Sequence, residues 1–374
     1  MKVAYFSDTF ARKERFGLAR FAHCLFTELK ILDVDAVPIS AISDFDNEHP
    51  EWLSASGFRR LRIPRRYLAT LWSLIRLPRL EWFYHDFDLL HSVDIDYPVA
   101  TNLPWVVTVH DLGPITHPEF FSNARPWLYR SLLKQISKRA DAVICVSETT
   151  AQAVRDNVPT SLGNRLKVVP EGVEDYFFEA ADLSSLTPLS LPPGTPFFLF
   201  SGSLNPRKNL VRAIRAFAKA ADQIPHHIFI ASSGGWEKDE LLAEIASSPI
   251  AHRIHQLGYV SDEQLHALYT SADGYLYVSL FEGFGLPILE AMASQCPVIT
   301  SNLSSMPEIA GNAALLVDPY NEDDIAAAIV KLASDKTLAQ HLRSAGLARA
   351  REFNWKKCAQ RMTDIYAEVL EARS

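Results

Sequence analysis

The sequence predicts an α/β protein of two doubly wound parallel-sheet domains. Three observations carry that prediction. The 374 residues exceed one ordinary domain of about 150 and suit two, each with a sizeable core. Short apolar runs of strand length alternate with stretches of helical periodicity, which implies parallel strands covered on both faces by helices. Between Asp175 and Pro196 the periodicity lapses, with Ser184, Ser185, Pro188, Pro192, Pro193 and Gly194 in the gap, and the alternation then starts again.

The first strand is Val3 to Phe6. A polar loop over Ser7 to Arg15 follows, and then a helix from Leu18 to Leu29 with apolar residues at 18, 21, 22, 25, 26 and 29. Trp105 to Val109 reads as a buried strand ending at His110-Asp111. Asp141 to Val146 reads as another, ending at Ser147 ahead of a helix over Glu148 to Arg155. In the second half, strands at Phe197 to Phe200, His227 to Ser232, Gly274 to Val278 and Pro297 to Thr300 alternate with helices near 209–222, 262–270, 287–294 and 322–333. A last amphipathic helix, Trp355 to Leu370, is long enough to leave its own domain and pack on the first. The predicted boundaries are 1–178, a linker over 179–193, 194–355, and a terminal helix over 356–374. Two such domains suggest a cleft between the carboxyl ends of their sheets, where open α/β folds bind ligands.

Composition removes several classes. Apolar residues make up 48 %, aromatics 11 % and charged residues 22 %, which excludes a disordered, collagenous or coiled-coil chain. With 37 basic and 44 acidic residues the net charge is −7, so the chain as a whole has no field that gathers nucleic acid. Cysteines 24, 145, 296 and 358 are too scattered for a zinc site or a disulfide framework and read as thiols of a reducing compartment. The amino-terminal apolar run is too short for a signal peptide, and no stretch approaches the roughly 18 apolar residues of a membrane span. The expectation is a cytoplasmic protein, attached to a membrane at most peripherally.

No G-x-G-x-x-G follows a strand and no G-x-x-x-x-G-K-[ST] occurs, which disfavours a dinucleotide dehydrogenase or a P-loop NTPase. The nearest glycine-rich turn is Phe281-Glu-Gly-Phe-Gly-Leu-Pro-Ile-Leu-Glu290. It follows a strand, carries two glycines that permit close backbone approach, and places Pro287 where a helix starts. Such a helix start presents unpaired N–H groups and positive dipole charge to an anion. Glu282 in the loop and Glu290 in the first turn flank it. Both suit hydroxyls of a sugar and a ribose better than a phosphate, while the plainer alternative is a solvated Glu282 and a Glu290 that complements the dipole. A second constellation, Ser201-Gly-Ser-Leu-Asn-Pro-Arg-Lys-Asn-Leu210, directly follows the first strand of the second domain. There Arg207 and Lys208 can hold a diphosphate by fork and point charge, although adjacent cations are commonly just solvated.

The setting G-x-L-x-P-R-K-N around Arg207-Lys208, then Gly258-Tyr-Val-Ser-Asp-Glu-Gln-Leu, then E-G-F-G-L-P-x-x-E-A-M-A at 282–293, resembles the retaining nucleotide-sugar glycosyltransferases of family 4. Ser301-Asn-Leu-Ser-Ser-Met-Pro-Glu-Ile-Ala-Gly311, Leu315 to Pro319 and Phe353-Asn-Trp extend the likeness, which also touches Val109-His-Asp-Leu, Val146-Ser-Glu and Val169-Pro-Glu-Gly-Val in the first domain. The resemblance implies the GT-B fold. It further implies that Glu290 binds the donor ribose, Glu282 a hydroxyl of the transferred sugar, and the backbone of Gly283, Phe284, Gly285 and Leu286 the sugar or phosphates. Arg207 and Lys208 then neutralise the leaving diphosphate, with Ser203 in the same loop, and the chain at Tyr259-Val260 holds the base. His110 matches the histidine that contacts the donor, and Gly17 the glycine that lets the backbone approach donor phosphate or acceptor. Two departures stand out: Phe16-Gly17-Leu18 has one glycine where the family often has two, and Glu171 stands where Asn is common.

No D-x-D pair is placed at a strand end to hold a metal diphosphate, so leaving-group charge falls to Arg207, Lys208 and the helix dipole. The expected reaction is metal-independent transfer without a cofactor, retention following on one face of the sugar. Overall similarity to bacterial mannosyltransferase-like members points to GDP-mannose, with a glycan or polyprenyl-diphosphate-linked acceptor of surface polysaccharide. The alternatives are a UDP- or dTDP-sugar donor, a nucleotide-sugar 2-epimerase, or a catalytically silent sugar-nucleotide-binding subunit.

One stretch stands apart from the donor motifs. From Phe58 to Leu80 there are arginines at 59, 60, 62, 65, 66, 76 and 79 and no acid, interleaved with Tyr67, Leu71, Trp72, Leu74, Ile75 and Leu77 and followed by Trp82-Phe-Tyr. Over 58–84 this suits an anionic membrane surface, or else a solvated helix with an ordinary core face. Nucleic acid is not expected, since residues 1–180 as a whole are slightly acidic.

Overall fold

A computed structural model describes residues 1–11, 17–42, 52–53, 56–95, 98–121, 126–189, 191–192, 194–232 and 238–374. The predicted loop over Ser7 to Arg15 therefore lies partly outside the described residues.

The first sheet has seven parallel strands in the order β3-β2-β1-β4-β5-β6-β7. They are β1 (Lys2–Phe6), β2 (Asp35–Ile42), β3 (Arg59–Pro64), β4 (Leu89–Ser92), β5 (Trp105–Val109), β6 (Ala142–Cys145) and β7 (Leu166–Val168). Helices α1 (Leu18–Ile31), α2 (Arg65–Leu74), the single turn α3 (Gly113–Thr116), α4 (Pro126–Arg139) and α5 (Glu148–Asn157) connect them. The second sheet has six parallel strands in the order β10-β9-β8-β11-β12-β13. These are β8 (Phe197–Ser201), β9 (His227–Ala231), β10 (Ile254–Gly258), β11 (Gly274–Tyr277), β12 (Val298–Ser301) and β13 (Leu315–Val317). Its helices are α6 (Leu210–Ala220), α7 (Lys238–Ser247), α8 (Asp262–Ser271), α9 (Leu286–Ala293), α10 (Met306–Ala310), α11 (Glu322–Ser334) and α12 (Lys336–Ala350), and α13 (Trp355–Glu371) ends the chain.

The central strands β1, β4, β5 and β6 bury almost every residue, as both faces of a covered parallel sheet require. Each sheet has its own apolar core, one around Trp72, Trp105 and Val107 and one around Phe198, Phe217 and Leu276.

Packing divides the chain into a unit of residues 1–172 with 354–374 and a unit of 173–353. The division falls before the predicted boundary at 178. Tyr176 and Phe177 pack their rings against His266 of α8, which ties them to the second unit. The stretch 179–193, read as a linker, contains a 3-10 turn over Leu183–Leu189, where the Ser185 carbonyl accepts a hydrogen bond from Gln264 Nε2 at 3.3 Å. The amino end of α13 belongs to the first unit because Gly172 meets it backbone to backbone: a Cβ there would sit 2.2 Å from the Trp355 nitrogen. Tyr366 of α13 bonds His91 Nδ1 on β4 at 2.7 Å. Among the described residues no helix is long and apolar enough to cross a membrane.

Candidate functional site

In a doubly wound sheet, ligands gather at the carboxyl ends of the strands where the strand order reverses. In the second sheet that place lies between neighbours β8 and β11, from which the chain runs outward to β10 on one side and β13 on the other. The loops leaving these two strands carry Arg207, Lys208 and Glu282.

After β8, Gly202 turns at φ +133°, a region glycine enters without steric penalty, and Pro206–Lys208 forms a 3-10 turn. Asn209 then starts α6 in the left-handed conformation, φ +59°. Its Nδ2 donates to the Val278 and Pro319 carbonyls at 3.0 and 2.8 Å, which is what holds an otherwise unfavourable backbone there. The Leu280 N–H donates to the Arg207 carbonyl at 2.7 Å, lacing the two loops together. Ser304 Oγ donates to the Glu282 carbonyl at 2.6 Å, and Ser305 Oγ to the Phe284 carbonyl at the same distance. The strand-turn-helix around Glu282 is thus fixed from outside its own segment.

At the centre Lys208 and Glu282 are buried. Lys208 Nζ donates to Glu282 Oε1 at 2.7 Å and to the Tyr277 hydroxyl at 2.6 Å, and lies 4.5 Å from the Tyr277 ring centroid. Arg207 donates to Glu282 Oε2 and, at 3.2 Å, to the Phe281 carbonyl. Two cations therefore flank one carboxylate and leave a net positive charge. Burial alone would raise the Glu282 carboxyl; Arg207 and Lys208 outweigh it and hold the group at about 2. Burial lowers the Lys208 ammonium to about 8, against the attraction of Glu282. An ionised Glu282 accepts only, and with one cation on each oxygen it keeps further lone pairs for hydroxyl donors.

Glu290 is buried in the second turn of α9, one turn further in than the sequence predicts. Tyr269 donates to its Oε2 at 3.4 Å, and Ser201 Oγ joins the Tyr269 and Tyr275 hydroxyls at 3.1 and 2.9 Å. Gly285 precedes α9 at φ +113°, with Pro287 in its first positions. Gly283 and Phe284 lie in the same turn. Ser203, in the loop after β8, takes a hydrogen bond from Asn205 Nδ2 at 2.9 Å. Tyr259, exposed, and Val260 follow edge strand β10, two strands away from β8, ahead of a capping box made by Ser261 and Gln264 on α8.

The remaining predicted residues belong to the other unit. Gly17 precedes α1 at φ +48°. His110 directly follows β5, the neighbour of β4 at the reversal between β1 and β4. Its Nδ1 faces Glu171 Oε1 at 3.2 Å and its Nε2 the Val93 carbonyl at 3.0 Å, while Phe21 packs edge-on at 4.5 Å. Burial works to lower the imidazole, but Glu171, the Val93 carbonyl and Asp94 prevail and raise it. Glu171, the departure from the family pattern, is thus the partner of His110. On the same strand layer His91, buried and beside His110, is pushed down to about 3.

Three features were missed in the sequence. Tyr277, Ser304 and Ser305 carry no motif of their own: Tyr277 falls inside a predicted strand and the two serines inside a segment of the family likeness, none of them with a role at the site. The absence of D-x-D at a strand end also needs amending, because the unpredicted strand β4 is followed by Asp94-Ile-Asp96. Asp94 accepts from Ser7 Oγ, and Asp96 lies outside the described residues.

Comparison with known proteins now bears on this geometry. Residues 17–176 match the model of glycosyltransferase family 4 and residues 187–349 that of glycosyl transferases group 1. The chain is a glycosyltransferase, its first range matching family 4 and its second group 1. It is 29 % identical over 338 residues to the O-antigen chain mannosyltransferase B of Escherichia coli, covering 88 % of this chain and 87 % of that protein. It is 25 % identical to the O-antigen chain mannosyltransferase RfbU of Salmonella typhimurium, covering 84 % and 86 %. Sucrose-phosphate synthase of Thermosynechococcus elongatus superposes with a TM-score of 0.79 at 20 % identity over the whole of both chains. Anabaena HepE bound to UDP and glucose superposes at 0.74 and 19 % identity, over 98 % of this chain and 100 % of that one. The fold of this glycosyltransferase is accordingly GT-B, and the relatives support a role in polysaccharide synthesis.

Proposed function

We propose that this glycosyltransferase moves mannose from GDP-mannose, with retention and without a metal ion, onto a growing glycan or a polyprenyl-diphosphate-linked acceptor. The observation that carries the reading is the Arg207–Glu282–Lys208 cluster at the β8/β11 reversal. Its surplus positive charge, fixed beside the amino end of α9, suits a diphosphate that gains negative charge as the sugar–oxygen bond breaks. Ionised Glu282 serves as acceptor for hydroxyls of the transferred sugar, and Glu290 for those of the ribose. In a retaining transfer the departing phosphate oxygen takes the acceptor's proton on the face it leaves, so no protein base is needed. The donor choice follows the O-antigen mannosyltransferases among the relatives. A UDP-sugar is the second reading, favoured by the UDP and UDP-glucose complexes of HepE.

The test is turnover of GDP-, UDP- and dTDP-sugars by purified protein in EDTA, with the product anomer read by NMR. Mannose released or transferred from GDP-mannose alone, in the donor's own anomeric configuration, supports the proposal. Binding without turnover of any donor, or epimerised nucleotide sugar as product, defeats it.

A further inference from the structure

The first unit carries a surface that the transfer reaction does not use. Thirteen large hydrophobic side chains are exposed among the described residues, and six of them, Tyr67, Leu74, Ile75, Leu77, Trp82 and Trp127, come from α2, the turn after it and the start of α4. Their helices have already buried an apolar face: Leu68 and Trp72 of α2 and Leu132, Leu133 and Ile136 of α4 share one core. The exposed set is therefore surplus to folding, and clustering of this kind marks an interaction surface.

The two helices are neighbours. Gln135 Nε2 of α4 donates to the Ser73 carbonyl of α2 at 3.5 Å, and the Arg139 guanidinium is lowered by its burial and by the nearby charges of Arg76 and Arg79. The sequence has no acid in 58–80 and none in 126–139. Arg59 and Arg65 are spent on Asp86 and Asp8. Arg76, Arg79, Arg130, Lys134 and Lys138 form no salt bridge among the described residues, and Arg139 Nη1 is buried without a hydrogen-bond partner. One carboxylate on an adjoining element, Glu81, acts on Arg139, and its Oε1 accepts the backbone N–H groups of Asn102 and Leu103.

We propose that the α2/α4 face docks on an anionic lipid bilayer, with Leu74, Ile75, Leu77 and Trp127 entering the headgroup boundary and the cations lying against the lipid phosphates. Aromatic and aliphatic tips set among basic residues are what such an interface accepts. Nucleic acid would use the cations but not the exposed aliphatic cluster. A second copy packed on the same face through a two-fold axis would oppose like charges. The proposal stands apart from the choice of donor.

The experiment is sedimentation of the full chain with vesicles of phosphatidylcholine, alone or mixed with phosphatidylglycerol. Binding is expected only with the anionic lipid. Because a juxtamembrane cation strengthens partition about fivefold, Arg130→Gln/Lys134→Gln/Lys138→Gln should weaken it about a hundredfold. Leu74→Ser/Ile75→Ser/Trp127→Ser should remove the part that survives high salt. All six positions are exposed, so circular dichroism and donor turnover with a soluble acceptor should be unchanged. These last measurements separate failure here from failure of the donor reading. Equal partition to neutral and anionic vesicles, wild-type partition by both triple variants, tighter binding to duplex DNA, or a dimer dissolved by the same substitutions would overturn the proposal.

Discussion

The two sheets reverse their strand order at equivalent places, and the two reversal points are furnished with opposite chemistry. Between β8 and β11 a lysine and a carboxylate are buried together with an arginine at their edge, leaving a net positive charge. Beside β1 and β4 no cation is in surplus among these pairs: His110 faces Glu171, and the Asp94 carboxylate is met by the uncharged Ser7 hydroxyl. The same architecture thus offers one end able to hold a polyanion and another able to orient a single donor group. The difference lies in a few loop side chains, since both loop sets are braced by backbone and hydroxyl contacts of similar kind.

Removing charge from the second unit should break the contrast most strongly. Lys208→Ala should lower kcat/KM by on the order of a hundredfold to a thousandfold, as for loss of one preorganised donor to a developing anion. Near-normal turnover in Lys208→Ala and Arg207→Ala would remove the cluster from the mechanism. In the first unit the larger effect is steric. Gly172→Ala drives a Cβ into the backbone of Asn354 and Trp355 and should cost about 3 kcal/mol, read as a lower denaturant midpoint. An unchanged midpoint would show that α13 is free to shift.

The acid response sharpens the comparison. With Glu282 held at about 2 in the fold against an ordinary value near 4.3, its contribution to stability is complete above that ordinary value. It is lost as pH falls from there toward 2, by on the order of 3 kcal/mol. Urea unfolding from pH 5 to 2 should therefore be flatter for Glu282→Gln than for the wild type, and parallel curves would contradict the pairing. His110 titrates in the opposite sense. Raised by its partners, it contributes stability below about pH 6.5 that disappears as pH climbs through its elevated folded value. Glu171→Gln should return the ring's NMR titration toward the ordinary range at a cost of about 1 to 2 kcal/mol. An unmoved titration would mean that Glu171 is not what charges His110.

Much of this was legible in the chain. Trp105 to Val109 and Phe197 to Phe200 announce themselves because a central parallel strand buries both faces and reads as an uninterrupted apolar run. β3 escaped notice because Arg-Arg-Leu-Arg-Ile-Pro sits at a sheet edge, where one side of the strand stays wet. β4 is four residues long and includes His91, whose burial rests on Thr108 and Tyr366 from distant segments. At the site, Arg207, Lys208, Glu282 and Glu290 could be picked out because motif and strand-end position coincide. Their mutual pairing could not, and it changes their chemistry: Arg207 and Lys208 meet Glu282 in the same cluster, whereas the motif suggested separate partners.

By itself, then, the sequence determined the alternation that makes two doubly wound sheets, the glycines and proline of the donor-side turn, and the acid-free basic stretches. Those are local properties of period, backbone freedom and composition. Tertiary structure decided which strands are neighbours, hence where each sheet reverses, and it decided that residues 74 or 75 positions apart, Lys208, Arg207 and Glu282, share one buried charge cluster. It also set α2 beside α4, turning two separate basic segments into one face. Burial and proximity fix ionisation and charge density, and both are properties of the packed chain.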